Sequence, residues 1–289
     1  MKPPAFDYVA VTSPDEAVAE LARHGDDAKL LAGGQSLVPI LNLRLAAPAR
    51  LVDLNRARGL AFIEERGGGL AIGAMTRQRT VERSALAAAR VPLLTEALPW
   101  VGHTAIRHRG TVGGSLAHAD PAAELPAVAL CLDARLTVRD ATKERVIGAR
   151  EFFTGYLSTA LASTELLSEV WFPSLRPGSG AAWMEIARRH GDFALAGVAA
   201  VVTLDGDVVR EARLALTGVD AVPVRATAAE RALVGAALSA DSMAAAADAV
   251  RRQVEPHTDI HATAAYRRHV AGVLTVRALA RAGERARRA

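Results

Sequence analysis

Short apolar runs alternate with helical patterns along the first 175 of the 289 residues. Ser13-Pro14-Asp15-Glu16 predicts a helix start, because Ser caps a helix, Pro suits its first position and Glu completes a capping box. Apolar runs at 29–31 and 51–54 predict buried strands. Between them, residues 36–45 predict a helix that Pro48 ends. Together these elements predict a compact α/β unit of about 55 residues.

The rest of the chain predicts a hairpin, a linker and a second domain. Runs at 60–64 and 70–74 flank Gly67-Gly68-Gly69, which predicts a β-hairpin, and residues 173–180 are rich in Pro, Gly and Ser, as in a linker. Between the hairpin and the linker, residues 80–89 predict one helix. Beyond the linker, we predict strands at 183–188, 194–204 and 208–216, with Asp205-Gly206-Asp207 as the turn between the last two, and then helices at 227–234, 239–254 and 260–281.

We therefore expect an α+β fold with two domains. The first covers residues 1–175, with subdomains of about 1–57 and 58–175. The second covers residues 178–289 and consists of a three-stranded antiparallel sheet plus helices.

Two glycine-rich segments have the pattern of phosphate-binding turns. The first loop (32–36) is Ala32-Gly33-Gly34-Gln35-Ser36, and the second loop (109–116) is Arg109-Gly110-Thr111-Val112-Gly113-Gly114-Ser115-Leu116. Glycine lets the backbone turn sharply beside a ligand, and amides at a turn or a helix N-terminus favour an anion. A single Gly pair after a strand is more typical of a plain turn. Two such loops in one chain favour a ligand with two phosphates.

Other nucleotide-binding and catalytic motifs are absent from the sequence. Neither loop has Gly-x-Gly-x-x-Gly spacing, and no P-loop or Gly-x-Ser-x-Gly segment is present. His103, His108 and His118 lack the spacing of metal ligands on a helix, so we predict no metal site. The residues therefore indicate a phosphorylated cofactor that itself supplies the reactive chemistry.

Composition narrows the classes of partner and location. The chain has 35 basic and 31 acidic residues, and its basic excess collects between Arg267 and Arg288, which we interpret as a solvated helix face. With 4% aromatic residues, nucleic-acid binding is not predicted. The single cysteine, Cys131, lies in an apolar run and predicts an inert buried thiol. No signal-peptide core and no apolar stretch of about 18 residues is present, so we expect a cytoplasmic protein without a membrane span.

In order along nearly the whole chain, the sequence resembles the FAD-binding medium subunit of molybdenum hydroxylases, of the carbon monoxide dehydrogenase and xanthine dehydrogenase type. Residues 32–39 and 106–121, which contain the two loops, carry most of this resemblance. Further matching segments are Leu51-Val52-Asp53-Leu54, Ile72-Gly73-Ala74-Met75-Thr76, Phe153-Thr154-Gly155-Tyr156, Arg188-Arg189-His190-Gly191-Asp192-Phe193-Ala194 and Tyr266-Arg267-Arg268-His269-Val270. The resemblance implies a PCMH-type (vanillyl-alcohol oxidase-like) FAD-binding domain made of two subdomains.

The resemblance also implies which residues contact FAD. Backbone amides of the first loop would wrap the pyrophosphate, and the second loop would complete the phosphate and flavin contacts. The implied contacts are Leu30, Ala32, Gly33, Gly34, Gln35, Ser36, Leu37, Val101, Thr111, Val112, Gly113, Gly114, Ser115, Asp120, Glu124, Leu167 and Phe193. No catalytic side chain is implied.

Several of these positions have plainer explanations. Asp120 is typical of a helix cap with Pro121 at the first helical position, and Glu124 of a solvated helix residue. Three apolar positions at a distance from the loops in the sequence, Val101, Leu167 and Phe193, are equally typical of a core. The sequence departs from the family pattern at His108 (commonly Asn), Val112 (commonly Ile) and Glu185 (Lys in some relatives), none of which touches the glycine framework.

The resemblance implies a division of labour among chains. A large subunit with a molybdenum cofactor would oxidise the substrate, and a small subunit would carry two [2Fe–2S] clusters. FAD in this chain would take their electrons and pass them to an acceptor such as a quinone, NAD or oxygen, in a dimer of heterotrimers. Two clusters need about eight cysteine ligands, so this chain, with one cysteine, would depend on a partner for them.

Two other functions remain open from the sequence. One is a free-standing PCMH-type flavin oxidase with its own substrate pocket, although no covalent-attachment motif for flavin is obvious. The other is a structural subunit that has lost its flavin, against which the intact glycine loops argue.

Overall fold

The computed structural model describes all 289 residues, in fourteen strands and twelve α-helices. The strands are β1 (Asp7–Ala10), β2 (Ala28–Leu31), β3 (Arg50–Asp53), β4 (Ile63–Arg66), β5 (Gly69–Gly73), β6 (Arg135–Arg139), β7 (Glu144–Gly148), β8 (Phe153–Gly155), β9 (Ser158–Thr159), β10 (Leu166–Pro173), β11 (Ser179–Ile186), β12 (Ala196–Asp205), β13 (Val208–Thr217) and β14 (Val224–Arg225). The helices are α1 (Pro14–His24), α2 (Leu37–Asn42), α3 (Gln78–Glu82), α4 (Ala85–Arg90), α5 (Pro92–Ala97), α6 (Thr104–Arg109), α7 (Val112–His118), α8 (Glu124–Cys131), α9 (Ala149–Phe152), α10 (Thr227–Leu233), α11 (Ala240–Gln253) and α12 (Ala264–Ala286).

The N-terminal unit is a three-stranded parallel sheet in the order β1-β3-β2. The predicted α/β unit contained β2 and β3, and the edge strand β1 was not predicted. Helix α1 begins where expected, because the Ser13 hydroxyl accepts a hydrogen bond from the Glu16 amide at 3.2 Å. Its buried face, Ala17, Val18 and Leu21, packs in a small core. The carboxyl ends of β2 and β3 lie side by side, so the segments that follow them meet at one edge of the sheet.

The second unit is a five-stranded antiparallel sheet in the order β4-β5-β10-β6-β7, with short helices packed on it. The predicted hairpin is confirmed: Gly67 and Gly68 turn the chain between β4 and β5 with φ of +59° and +75°. The segment predicted as one helix, 80–89, is divided into α3 and α4. The Ser84 hydroxyl caps α4 by accepting from the Ala87 amide at 3.1 Å, which a Ser between two helical patterns favours.

The C-terminal sheet has four strands, where we predicted three. Its order is β11-β12-β13-β14, and the added strand β14 pairs with β13 through Val224 and Arg225. A two-residue strand is too short to show alternation of apolar and polar positions, so the pattern could not reveal it. The predicted turn Asp205-Gly206-Asp207 does join β12 to β13.

The C-terminal sheet is buried on both faces. Helices α10, α11 and α12 cover one face, and the short helices α5 and α8 lie on the other. Along β11, Ala181 and Trp183 point into the core shared with α8, whereas Ala182 points into the core under α12. Cys131, at the end of α8, is fully buried against this sheet, and burial raises the pKa of its thiol to about 12, as expected for an inert thiol. No helix has the length and apolar character needed to cross a membrane.

Candidate functional site

The first loop lies at the carboxyl end of β2 and turns the chain into α2. Gly34 has φ of +74°, a conformation that favours glycine at this turn. None of the six consecutive backbone amides from Ala32 to Leu37 donates a hydrogen bond within the chain. Such a row of unpartnered amides at a turn and a helix start is a binding arrangement for an anion.

The second loop joins α6 to α7, and most of its amides are already bonded within the chain. The amide of Val112 donates to the Thr76 carbonyl at 3.0 Å and that of Gly113 to the Ala74 carbonyl at 2.8 Å. The amide of Gly114 donates to the Thr111 hydroxyl at 3.0 Å, and that of Ser115 to the Thr111 carbonyl. This loop therefore has no row of unpartnered amides to offer a ligand.

The two loops pack against each other through their glycines. A Cβ atom at Gly33 would come within 2.8 Å of the Gly110 Cα and closer still to the Arg109 carbonyl oxygen. A Cβ at Gly114 would meet the Thr111 hydroxyl at 2.6 Å and the Ala32 side chain at 3.4 Å. Residues far apart in sequence thus form one cradle without intervening side chains, which fits a pyrophosphate bound directly by backbone.

A cleft of about 640 Å³ lies at the other end of α7. Its lining includes Asp120 after α7, and Arg188 and Phe193 in the segment between β11 and β12. Phe193 is 69% exposed, so it is not the core residue that a strand start would suggest. His190 of the same segment stacks on Trp100 with ring centroids 5.0 Å apart. At about 1.5 Å per residue, α7 separates cradle and cleft by roughly 10 Å, which a dinucleotide can span.

Asp120 does not cap α8 as predicted. The helix begins at Glu124 with Ala123 as its N-cap residue, and the Asp120 carboxylate instead accepts from the Ala122 amide at 2.8 Å. The reason is a tertiary contact: the Thr217 hydroxyl lies 2.7 and 2.8 Å from the carbonyl oxygens of Pro121 and Ala123 and shares its one proton between them, which holds this segment in a turn.

Glu124 is 5% exposed rather than solvated, because the C-terminal sheet covers it. Burial, with the charge of Asp120 nearby, raises the pKa of Glu124 to about 7, although its own backbone amide and Arg107 act in the opposite direction. Burial and the charge of Glu124 raise the pKa of Glu185, on β11, to about 8. Glu185 Oε2 accepts from the Trp183 indole at 3.1 Å, while its buried Oε1 has no partner. The two carboxyl groups therefore do not both ionise at neutral pH.

We expect the stability of the protein to reflect this pair. A raised pKa in the folded state stabilises the protein below about pH 4.5, and this stability is lost as the pH rises towards about 8. Replacing Glu185 with Gln removes this ionisation. The free energy of unfolding of Glu185→Gln should therefore decline less between pH 5 and 9 than that of the wild type. At high pH the variant should be more stable than the wild type by more than about 1 kcal/mol. Urea denaturation at several pH values measures this.

The control for this prediction is Glu144→Gln, because Glu144 is exposed on β7 and forms no side-chain hydrogen bond. The control should follow the wild-type curve at every pH. A Glu185→Gln variant with an unchanged pH dependence would contradict the account of the buried pair.

The remaining predicted contacts lie in different surroundings. Leu30 and Leu37 flank the first loop and are half-buried. Val101 is half-buried beside the main core, and its carbonyl accepts from the buried Arg107 at 3.0 Å. Leu167, on β10, is 4% exposed within the main core, as the plainer explanation had it.

Sequence reasoning missed the polar side chains that support the loops and the cleft. Asn55 and Arg77 join the two loops by hydrogen bonds, described below. Arg267, on α12, is buried and donates to the carbonyls of Leu195 at 2.8 Å and Gly218 at 3.1 Å, at the rim of the cleft. A polar residue directly after the buried run 51–54 was a signal for Asn55; the partners of the arginines come from distant parts of the chain and left no local signal.

The sequence matches two family models that together cover most of the chain. Residues 4–175 match the FAD binding domain in molybdopterin dehydrogenase, and residues 181–282 match the CO dehydrogenase flavoprotein C-terminal domain.

Two curated proteins are similar to this chain over nearly its whole length. The 6-hydroxypseudooxynicotine dehydrogenase complex subunit alpha of Paenarthrobacter nicotinovorans is 46% identical over 289 residues, which cover 99% of this chain and 97% of that protein. The caffeine dehydrogenase subunit beta of Pseudomonas sp. (strain CBB1) is 40% identical over 286 residues, with coverage of 99% and 97%.

A solved structure has the same fold over the whole chain. A chain of carbon monoxide dehydrogenase from Hydrogenophaga pseudoflava, in a form that lacks the Mo-pyranopterin moiety of the molybdenum cofactor, superposes with a TM-score of 0.97 at 41% identity, covering 99% of each chain. The protein therefore belongs to the family of FAD-binding medium subunits of molybdenum hydroxylases of the carbon monoxide dehydrogenase type.

Proposed function

We propose that this chain holds FAD with the pyrophosphate on the first loop and the flavin ring towards the cleft at the end of α7. The observation that carries the proposal is the row of unpartnered amides from Ala32 to Leu37, packed against the second loop with no side chain between. Amides at such a turn stabilise the two negative charges of a pyrophosphate. Asp120 and Phe193, which line the cleft, would lie beside the ring, and Glu124 close behind them.

We further propose that the chain transfers electrons between other proteins rather than oxidising a substrate itself. Bound FAD would supply the redox chemistry, and the residues of this chain would bind it, orient it and limit its contact with water. The two [2Fe–2S] clusters would belong to a small partner subunit and the molybdenum cofactor to a large one. The single cysteine, which is buried, and the subunit names of the relatives support this division.

We propose a PCMH-type FAD-binding domain over residues 1–175 and a second domain over 178–289; family matches that end at 175 and resume at 181 support a boundary in this linker. We also propose a dimer of heterotrimers in the cytoplasm, with a quinone, NAD or oxygen as acceptor.

Anaerobic rapid mixing tests the electron-transfer role. The small iron–sulfur subunit is first reduced and then mixed with the FAD-loaded chain, and the flavin absorbance at about 450 nm is followed. We expect rapid bleaching with the reduced small subunit and none with the oxidised one. A chain that oxidises an organic substrate with no partner present would contradict the proposal and favour a free-standing oxidase.

A further inference from the structure

A continuous line of side-chain hydrogen bonds joins the two glycine loops. Asn55 follows β3, and its Nδ2 donates to the Ala32 carbonyl of the first loop at 3.0 Å. Its Oδ1 accepts from Arg77 Nη2 at 2.6 Å, and Arg77 Nη1 donates to the Arg109 carbonyl of the second loop. We call these two residues the Asn55–Arg77 bridge. It spans loops that lie more than 70 residues apart in sequence.

The Asn55 end of the bridge is fixed by a buried carboxylate. Asp53 Oδ1 accepts from both the backbone amide of Asn55, at 2.9 Å, and its Nδ2, and the Tyr8 hydroxyl donates to Asp53 Oδ2 at 2.5 Å. Although burial opposes it, these hydrogen bonds hold the pKa of Asp53 below its usual value, so the acceptor stays ionised. With Nδ2 bound to Asp53 and Ala32, the amide oxygen of Asn55 is left to face Arg77.

The Arg77 end is fixed by the backbone on both sides. The Gln78 amide donates to the Gly110 carbonyl at 2.9 Å, and the Val112 amide to the Thr76 carbonyl at 3.0 Å, which place Arg77 opposite Thr111. Burial and the neighbouring Arg109 lower the pKa of Arg77, so two cationic groups lie together beside the loops. Their combined field favours a doubly negative ligand in the cradle.

The two outer bonds of the bridge end on backbone carbonyls, one in each loop, so the bridge sets how the loops face each other. The loops also pack closely where Gly33 faces Arg109 and Gly110 and where Gly114 faces Ala32. Glycine contacts exclude side chains but have no directional preference, whereas the planar guanidinium and amide groups have a defined orientation.

We propose that Asn55 and Arg77 are positioning residues: they set the spacing and orientation of the two glycine loops so that the free amides of the first loop converge on a pyrophosphate. This inference rests on the proposed pyrophosphate site and assigns a role to two residues outside the glycine loops. A lysine at position 77 should not perform this role, because the single ammonium group of Arg77→Lys cannot bond both Asn55 and the Arg109 carbonyl as the forked guanidinium does.

The test compares Asn55→Ala, Arg77→Met, Arg77→Lys and the double variant Asn55→Ala/Arg77→Met in the full chain after removal of flavin. Dissociation constants are measured for FAD, for ADP, which has the pyrophosphate without the ring, and for riboflavin, which has the ring without it. We expect each single variant to bind FAD and ADP about tenfold to a hundredfold more weakly, because each leaves a bridge partner unbonded. Riboflavin binding should stay unchanged. The double variant should be little worse than either single one, as for residues that act together.

Two further measurements separate positioning from stability. The ³¹P resonances of FAD bound to Arg77→Lys should shift from their wild-type positions, since the loop amides that surround the phosphates have moved. Arg145→Met is the control, because Arg145 also donates to a carbonyl, that of Ala160, and to Glu165 in the same domain. It should lower thermal stability and leave ADP affinity and the ³¹P spectrum unchanged.

The outcomes are distinguishable. Wild-type affinity for ADP and FAD in all bridge variants, or losses that multiply in the double variant, would overturn the positioning role while leaving the pyrophosphate site intact. If the wild-type chain binds riboflavin as tightly as FAD and does not bind ADP, the pyrophosphate contributes nothing to binding. That result would contradict the pyrophosphate site itself, and the role of the bridge with it.

Discussion

Gly33→Val is expected to abolish FAD retention. The new Cβ would lie within 2.8 Å of the Gly110 Cα and against the Arg109 carbonyl oxygen, both of which are backbone and cannot turn aside as a side chain would. The loops must separate to make room, and the free amides from Ala32 to Leu37 then no longer converge on one ligand. We expect affinity for FAD to fall more than about a hundredfold, measured as flavin content after gel filtration and by titration.

The matched control is Gly148→Val, because a Cβ at Gly148 meets nothing within 4 Å and the residue has φ of −70°, which valine adopts. It should keep full flavin content. Gly114→Val should behave like Gly33→Val, through the Thr111 hydroxyl. Both loop variants should retain the circular dichroism of the wild type. Full flavin content in them would contradict the assignment of the loops to the pyrophosphate.

Arg107→Met is expected to lower the stability of the protein substantially. Arg107 is 6% exposed and donates to Glu82 at 2.8 Å and to the carbonyls of Val101 and Gly102, both at 3.0 Å. Methionine fills the volume but leaves these buried acceptors without the guanidinium. We expect a loss of about 3 kcal/mol in the free energy of unfolding, measured by urea denaturation.

A second readout locates this effect at the cleft. A Cβ at Gly191 would lie 2.6 Å from the His103 ring and 2.9 Å from the Gly102 carbonyl oxygen, so the segment supported by Arg107 packs against the loop between β11 and β12. Trypsin should therefore cut after Arg188 or Arg189 of that loop faster in Arg107→Met than in the wild type. Arg23→Met, which removes an arginine whose side chain is 63% exposed, should change stability by less than about 0.5 kcal/mol. Equal effects of the two substitutions would contradict the role of Arg107.

The sequence revealed the parts of the fold that local pattern determines. The helix start at Ser13, the hairpin across Gly67 and Gly68 and the turn at Gly206 are where they were predicted, since each depends on a few neighbouring residues. The strand β14 and the division between α3 and α4 were missed, because both depend on pairing or capping in segments too short for periodicity.

The candidate site could be predicted only as far as its glycines. The two loops stand out because glycine is required where backbones approach closely, and the structure brings them together. Glu124 is buried because the C-terminal sheet covers it, and Thr217 of the same sheet holds the turn that the sequence predicted as a cap at Asp120. This sheet begins more than 50 residues after Glu124, so the local sequence contains no sign of either contact. The Asn55–Arg77 bridge likewise consists of contacts between distant segments, which no single stretch of sequence contains.

The absorption spectrum of the purified chain, recorded before and after acid precipitation, tests the central claim most directly. We expect flavin bands at about 370 and 450 nm. After precipitation the flavin should be found in the supernatant and identified there as FAD, because the loops hold it without a covalent bond. Flavin that remains with the precipitate would contradict this account and favour a covalent oxidase. A chain that takes up no flavin even after incubation with FAD would contradict the FAD site altogether.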